Sequence, residues 1–220
     1  EVLPKSGDTT GLCVDSNFMG MYSLTTYINE TRYNVLHVPA AGHVAEVGKP
    51  AVPKMTRFLE IPDEVQANVE IIYKDMQILE DYYVIPAQIP LEEHQNATMP
   101  PFVIDETIYR TDAFYPSEIA SLEGADGLDP IIIRGHRIAA LSLYPVQFNP
   151  VKQQLRVYSK IEVRINYEKP AQVGPLDPRL LSPAFETLLD ALVLNYQPRP
   201  LPIIAQRLVQ GTMYHRHFEY

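Results

Sequence analysis

Between Gln154 and Glu168 the side chains change character at almost every step. Leu155, Val157, Ile161, Val163, Ile165 and Tyr167 alternate with Arg156, Tyr158, Lys160, Glu162, Arg164 and Asn166. A period of two is the mark of a β-strand with one face against a core and the other in water. No helix gathers that set on one side, so this run obliges the chain to build a sheet. It is longer than an ordinary strand, which predicts a bulge or bend near Ser159. A second apolar run spans Arg137 to Phe148, and Asn149-Pro150-Val151-Lys152 supplies turn residues between the two. The pair reads as a β-hairpin.

Prolines extend the argument to the rest of the chain. There are 20 among 220 residues, roughly twice the usual share. Because proline is excluded from helix interiors and central strands, it marks where elements stop. The intervals are rich in Val, Ile, Tyr, Phe and Leu, the pattern of a mainly β chain with many turns. Further strands are expected at Met21–Ile28, Tyr33–Val38, Met55–Ile61, Val69–Asp75 and Gln77–Ile85. Gly42 to Pro53 reads as a turn-rich connection, and Gly124 and Gly127 bracket a turn around Ala125-Asp126. From Pro86 to Pro101 the chain carries four prolines, the titratable triplet Glu92-Glu93-His94 and little periodicity. A long exposed loop is expected there, and such loops often carry function.

One helix is signalled. Ser182 can cap it, Pro183 suits its first position, and Phe185, Leu188, Leu189, Leu192 and Val193 share one apolar face, with Asn195 at its end. Beyond it, Gln197-Pro198-Arg199-Pro200-Leu201-Pro202 reads as a linker. The final stretch from Ile203 to Tyr220 holds His215, Arg216 and His217 without a period.

Charge and composition exclude several classes. With 27 acidic against 18 basic side chains the formal net charge is −9, and no basic stripe of a nucleic-acid binder is visible. The single Cys13 excludes an intramolecular disulfide framework and a Cys-based zinc site. No apolar stretch approaches the ~20 residues of a membrane helix. Nor does the N-terminus have the form of a signal peptide, so any such segment is expected to have been removed. Catalytic chemistry is equally sparse. Cys13 sits in a polar segment with no nucleophile signature, no Gly-x-Ser-x-Gly elbow occurs, and no Gly-rich phosphate loop is present. His215 and His217 lack supporting ligands, so a solvated tail outweighs a metal site. Glu92 and Glu93 are adjacent and point apart, which suits a solvated cluster better than an acid/base pair. Tyrosines number 14 and tryptophan is absent; strand packing accounts for most of them better than a sugar-binding face does. Asn29-Glu30-Thr31 and Asn96-Ala97-Thr98 fit the N-glycosylation pattern, informative only in a eukaryotic secretory context. The residues point to a non-enzyme that needs no cofactor.

Gly48-Lys49-Pro50-Ala51-Val52-Pro53 followed by Arg57-Phe58-Leu59, then Phe114-Tyr115-Pro116-Ser117-Glu118-Ile119-Ala120, are the first of several segments that together resemble the N-terminal propeptide of the gingipain family of cysteine peptidases. The most specific is Arg134 to Leu141 through Pro145-Val146-Gln147-Phe148-Asn149-Pro150 and Leu155-Arg156-Val157-Tyr158. Phe185-Glu186 leading to Leu194-Asn195-Tyr196 resembles the closing helix. The resemblance implies an antiparallel β-sandwich-like prodomain with one C-terminal helix, over residues 1–197, and a linker or processing segment over 198–220. It implies a secreted or cell-surface zymogen in which this domain assists folding and occludes the active-site cleft. The partner would be the cognate cysteine peptidase catalytic domain, which carries the catalytic Cys and His and lies outside this chain. The competing expectation, from another class, is a permanently attached β-sandwich module that binds carbohydrate or a cell surface.

In that family a basic residue of the loop before the Phe-Tyr-Pro-like turn enters the specificity pocket. The matching stretch here is Glu92-Glu93-His94-Gln95-Asn96, and no Arg or Lys occurs from Asp75 through Tyr109. Either the cognate peptidase does not prefer Arg or Lys, or the loop inhibits without entering the pocket. If a substrate-like residue is used, Asn96 or Gln95 leads and Glu93 follows. Among processing sites Arg207 and Arg216 are better placed than Arg199, which precedes Pro200.

Overall fold

The computed structural model describes residues 1–90, 100–125, 131–170, 177–180 and 182–198. The alternating run forms the long strand β12 (Gln154–Tyr167), the spine of a five-stranded antiparallel sheet. One edge of β12 pairs with β2 (Gly11–Asn17), which in turn pairs with β1 (Val2–Asp8), and with β11 (Val146–Asn149); the other edge pairs with β7 (Ala67–Glu80). The second five-stranded sheet is built on β10 (His136–Leu143), flanked on one side by β6 (Pro53–Glu60) and on the other by β8 (Ala120–Glu123) and β9 (Ile131–Ile133). The two-residue β5 (Gly42–His43) extends β6, and β3 (Tyr22–Ile28) with β4 (Thr31–His37) make a separate hairpin.

Both sheets contribute to one apolar core. Leu12, Val14, Phe148, Leu155, Ile161, Val163 and Ile165 from the first meet Met55, Leu59, Ala139, Leu141 and Leu143 from the second. After the bulge the alternation of β12 has the expected outcome, with Ile161, Val163 and Ile165 buried and Lys160, Glu162 and Arg164 on the outer face. Immediately before it the phase is reversed, for Tyr158 is buried and donates to Gln147 while Val157 is only partly buried. The register slips between Tyr158 and Lys160, which is the bulge expected at Ser159, and again between Glu162 and Val163. At Gly11 the chains approach closely. A Cβ there would overlap the carbonyl oxygen of Ile165, so the start of β2 requires glycine.

The hairpin is narrower than the two apolar runs suggest. Its arms are β11 and β12, with Phe148 opposite Leu155 and the Asn149 side chain accepting a hydrogen bond from Lys152 N at 3.0 Å. The run Arg137 to Phe148 divides at Tyr144-Pro145. β10 before it belongs to the second sheet and β11 after it to the first. Pro145 has no N–H to donate, and its carbonyl instead receives Tyr158 N. Val69–Asp75 and the first part of Gln77–Ile85 are joined into the single 14-residue β7, which ends at Glu80, just before Asp81 with φ 71.

The C-terminal helix is α2 (Pro183–Leu192), with Ser182 extended before it; the serine side chain makes no capping bond. The helix stops earlier than Asn195. Leu189 and Val193 pack on Ile138, with Phe185, Ile133 and Tyr196 around them, whereas Leu188 and Leu192 are about half exposed at 46% and 50%. The five apolar residues therefore do not form one buried face. Past Leu192 the backbone turns extended and runs beside β6: Leu194 N donates to Phe58 O, and the Asn195 amide bonds both Glu60 N and Glu60 O. A second helix, α1 (Glu106–Tyr109), is a single turn that Asp105 caps by accepting from Thr107 N and Ile108 N.

Candidate inhibitory loop and its anchorage

Glu92, Glu93, His94, Gln95 and Asn96 lie outside the described residues, as do Arg207, Arg216, His215 and His217. The two flanks of the loop are described, and both are tied down. On the entry side, Ala51 N donates to Ile85 O, Gly48 N to Ala87 O, and Ala87 N back to Lys49 O at 2.8 Å. On the exit side, Asp105 N donates to Gly48 O at 2.9 Å. Gly48 thus joins both flanks. Its φ of +85 and the 3.0 Å from an added Cβ to Asp105 N leave no room for a side chain.

Gln88 closes the base. Its Nε2 donates to Val103 O at 2.8 Å and its Oε1 accepts from Val103 N at 2.9 Å, so one side-chain amide stands in for a strand neighbour. Beneath lies an aromatic stack. Phe102 meets Tyr33 edge-on at 5.6 Å, Tyr33 contacts Tyr83, and Tyr83 contacts Tyr109 and Phe148. The buried Tyr109 hydroxyl donates to Val84 O at 2.7 Å. Burial first, then the neighbouring Tyr83 and Tyr33, push the Tyr109 phenol far above its usual range. Sequence reasoning located the loop by its prolines but gave no sign of Gln88, because its partner is 15 residues away.

Beside this base is a depression of about 410 Å³ lined by His43, Glu46, Lys54, Tyr115, Pro116 and Tyr144, among others. Its groups are largely occupied already. Glu46 pairs with Lys49, His43 Nε2 is bonded to Leu36 O, and Lys54 lies 5.9 Å over the Tyr144 ring. Burial, then Glu46, pushes the Tyr115 phenol up to about 12. Cys13 is half-buried on β2, with Arg164 donating to its sulfur at 3.8 Å. Among the described residues, no three His, Cys, Asp or Glu side chains gather as a metal site would require, and no helix is long and apolar enough to cross a membrane.

Comparison with known proteins places the fold. Residues 13–186 match the family described as Propeptide_C25. Gingipain R2 of Porphyromonas gingivalis is 27% identical over 175 residues, which are 76% of this chain and 23% of that protein. Lys-gingipain of the same organism is 28% identical over 158 residues, 68% of this chain and 9% of that protein. The chain therefore spans less than a quarter of the curated relatives it matches. A solved chain from the "Complex of Porphyromonas gingivalis RgpB pro- and mature domains" superposes with a TM-score of 0.72 at 23% identity, covering 89% of this chain and 98% of the other. A second, from a structure concerning the zymogenic latency of gingipain K of Porphyromonas gingivalis, gives 0.63 at 22% identity over 76% of this chain and 92% of its own. A mainly antiparallel β fold with a closing helix, matched along most of its length by one propeptide family, leads to a plain assignment: the chain belongs to the Propeptide_C25 family, the propeptides of gingipain-type cysteine peptidases.

Proposed function

We propose that this domain is the prodomain of a secreted gingipain-like cysteine peptidase zymogen, acting as intramolecular inhibitor and folding assistant of the catalytic domain. The observation that carries the reading is the family match over residues 13–186. The fold likeness to a prodomain solved in complex with its mature domain supports it. Covalent linkage gives such a domain a high effective concentration, so modest intrinsic affinity is enough for latency. The blocking element is the segment Glu92 to Asn96, whose described flanks are tied together by the Gln88 and Gly48 contacts. Its acids and amides suit a peptidase whose pocket does not select Arg or Lys. Residues 198–220 are the processing segment, with Arg207 and Arg216 as the sites of cleavage.

The test is inhibition in trans. The cognate catalytic domain is assayed with and without this chain, intact and with Glu92 to Asn96 deleted. Inhibition at about micromolar concentration by the intact chain, weakened by the deletion at unchanged melting temperature, is the expected result. Equal inhibition by both removes the loop as the blocking element. No inhibition by either, with retention on an immobilised glycan, favours the binding module.

A further inference from the structure

His136 is fully buried at the start of β10, beneath the C-terminal strap formed by α2 and residues 193–196. Each ring nitrogen faces a carboxylate. Nδ1 is 2.9 Å from Glu60 Oε1 on β6, and Nε2 is 3.7 Å from Glu186 Oε2 on α2. Tyr196 lies against the imidazole with ring centroids 5.7 Å apart, and its hydroxyl donates to Glu186. Burial first, then that bond to Glu186, push the Tyr196 phenol above its usual range, so it remains a donor. Two atoms in this buried cluster have no hydrogen-bond partner, His136 Nε2 and Glu186 Oε1, and they belong to the two groups that face one another.

We propose that His136, Glu60 and Glu186 form a proton-operated latch that holds the strap on the sheet when the imidazole carries both protons and releases it when one is lost.

The chemistry is that of a cation between two anions. With Nδ1–H donating to Glu60, a neutral ring turns an unprotonated Nε2 toward the Glu186 carboxylate, and lone pair faces lone pair. A second proton converts that contact into an imidazolium-carboxylate pair in a site shielded from water, where such pairs are strongest. The remaining charged groups nearby have other partners. Arg134 donates to Leu180 O and lies 5.5 Å over Phe185, and Arg137 points to Val65 O and Ala125 O. Asp190 on α2 adds negative charge felt at Tyr196, and Glu60 is felt at Tyr167 of β12. The surroundings of the ring are therefore acidic, and the charged form gains two partners on folding where the neutral form gains one. Docking is favoured while the imidazole carries both protons and the two carboxylates facing it remain ionised. It weakens as pH rises. Release loosens α2 from the small cluster around Ile138, whereas Leu194 at the end of the strap packs against the main core.

The consequence depends on the prodomain reading: a released strap would leave the end of the described domain open to a processing peptidase at neutral or alkaline pH. The latch itself does not depend on it, and hydrogen exchange on the isolated 220-residue chain tests it without a peptidase. Exchange is followed at the amides of Val193, Leu194 and Tyr196, which donate to Leu189 O, Phe58 O and Val193 O. Amides of β12 serve as the internal reference, and rates are corrected for intrinsic pH dependence. From about pH 5.5 to about pH 8, strap protection relative to β12 is expected to fall roughly tenfold. In His136→Gln the ratio should be independent of pH. A flat ratio in the native chain, or an unchanged fall in His136→Gln, overturns the latch. If His136→Gln does not fold, Glu186→Gln, which keeps an acceptor for Tyr196, takes its place; an undiminished pH response there overturns the latch equally. Failure of inhibition in trans with an intact exchange response would strike the prodomain reading and leave the latch standing.

Discussion

At Gln88 one side chain satisfies both backbone groups of Val103 and so ties together the two described flanks of residues 91–99. Truncating it strands a partly buried N–H and C=O together. Gln88→Ala is expected to destabilise the domain by ~1–3 kcal/mol in denaturant titration, while weakening inhibition in trans by more than that loss accounts for. Gln88→Glu keeps the acceptor but removes the donor, and should fall between the two. An inhibition constant that moves no more than the unfolding free energy would reduce Gln88 to a purely structural role. Nothing in the local sequence marks this residue. A glutamine between alanine and isoleucine in a proline-rich stretch reads as surface, and only the fold brings Val103 to it. His136 was hidden in the same way, because its carboxylate partners, Glu60 and Glu186, come from distant parts of the chain.

Elements were legible where one face alone is buried. β12 announced itself because Ile161, Val163 and Ile165 point inward and their neighbours point to water. Placing a charge on the inner face should unfold the domain: Val163→Asp is expected to abolish the cooperative thermal transition, whereas Lys160→Asp, on the outer face, should leave it within a few degrees. Val157 is only partly buried, so a charge there is a weaker probe. Conversely, β10 gave no alternation because every residue in it is buried, the inner side by the main core and the outer side near Ile138 by α2. That uniformity also concealed the crossing between sheets at Tyr144-Pro145. The strands β1 and β2 escaped notice because Gly7, Gly11, Cys13 and Ser16 dilute the apolar pattern, and Gly11 is imposed by the approach of Ile165 rather than by any turn. In α2 the apolar spacing revealed a helix but overstated its buried face. The strap beyond Leu192 satisfies β6 with backbone and Asn195, so only Leu189 and Val193 are needed against the sheet.

For the whole molecule, the tyrosines that composition assigned to packing set the alkaline limit. Tyr33, Tyr83, Tyr109, Tyr115, Tyr158, Tyr167 and Tyr196 all have phenols raised by burial. A raised phenol retains its proton in the folded state where the unfolded chain has lost it. The resulting stability is complete below about pH 10 and is lost as pH climbs through the folded values, Tyr115 being pushed up to about 12. Equilibrium unfolding followed by circular dichroism should therefore show a flat free energy approaching pH 10 from below and a steep fall beyond it. Tyr109→Phe, Tyr83→Phe and Tyr33→Phe together should flatten that fall.

The order in which the strands meet has a further consequence for how the chain is made. β2 finds its inner neighbour only in β12, with Gly11 opposite Asn166 and Asn17 opposite Lys160. During synthesis β2 therefore has, among the described strands, only β1 to pair with until β12 has left the ribosome. At roughly 5–20 residues per second that interval is on the order of ten to thirty seconds. Throughout it the apolar side of β2 is without its cover, a form that a chaperone or an export channel can still grasp. The last long strand is the one that ends that period, so a chain cut short before Gln154 would remain a client of such machinery and never become a domain.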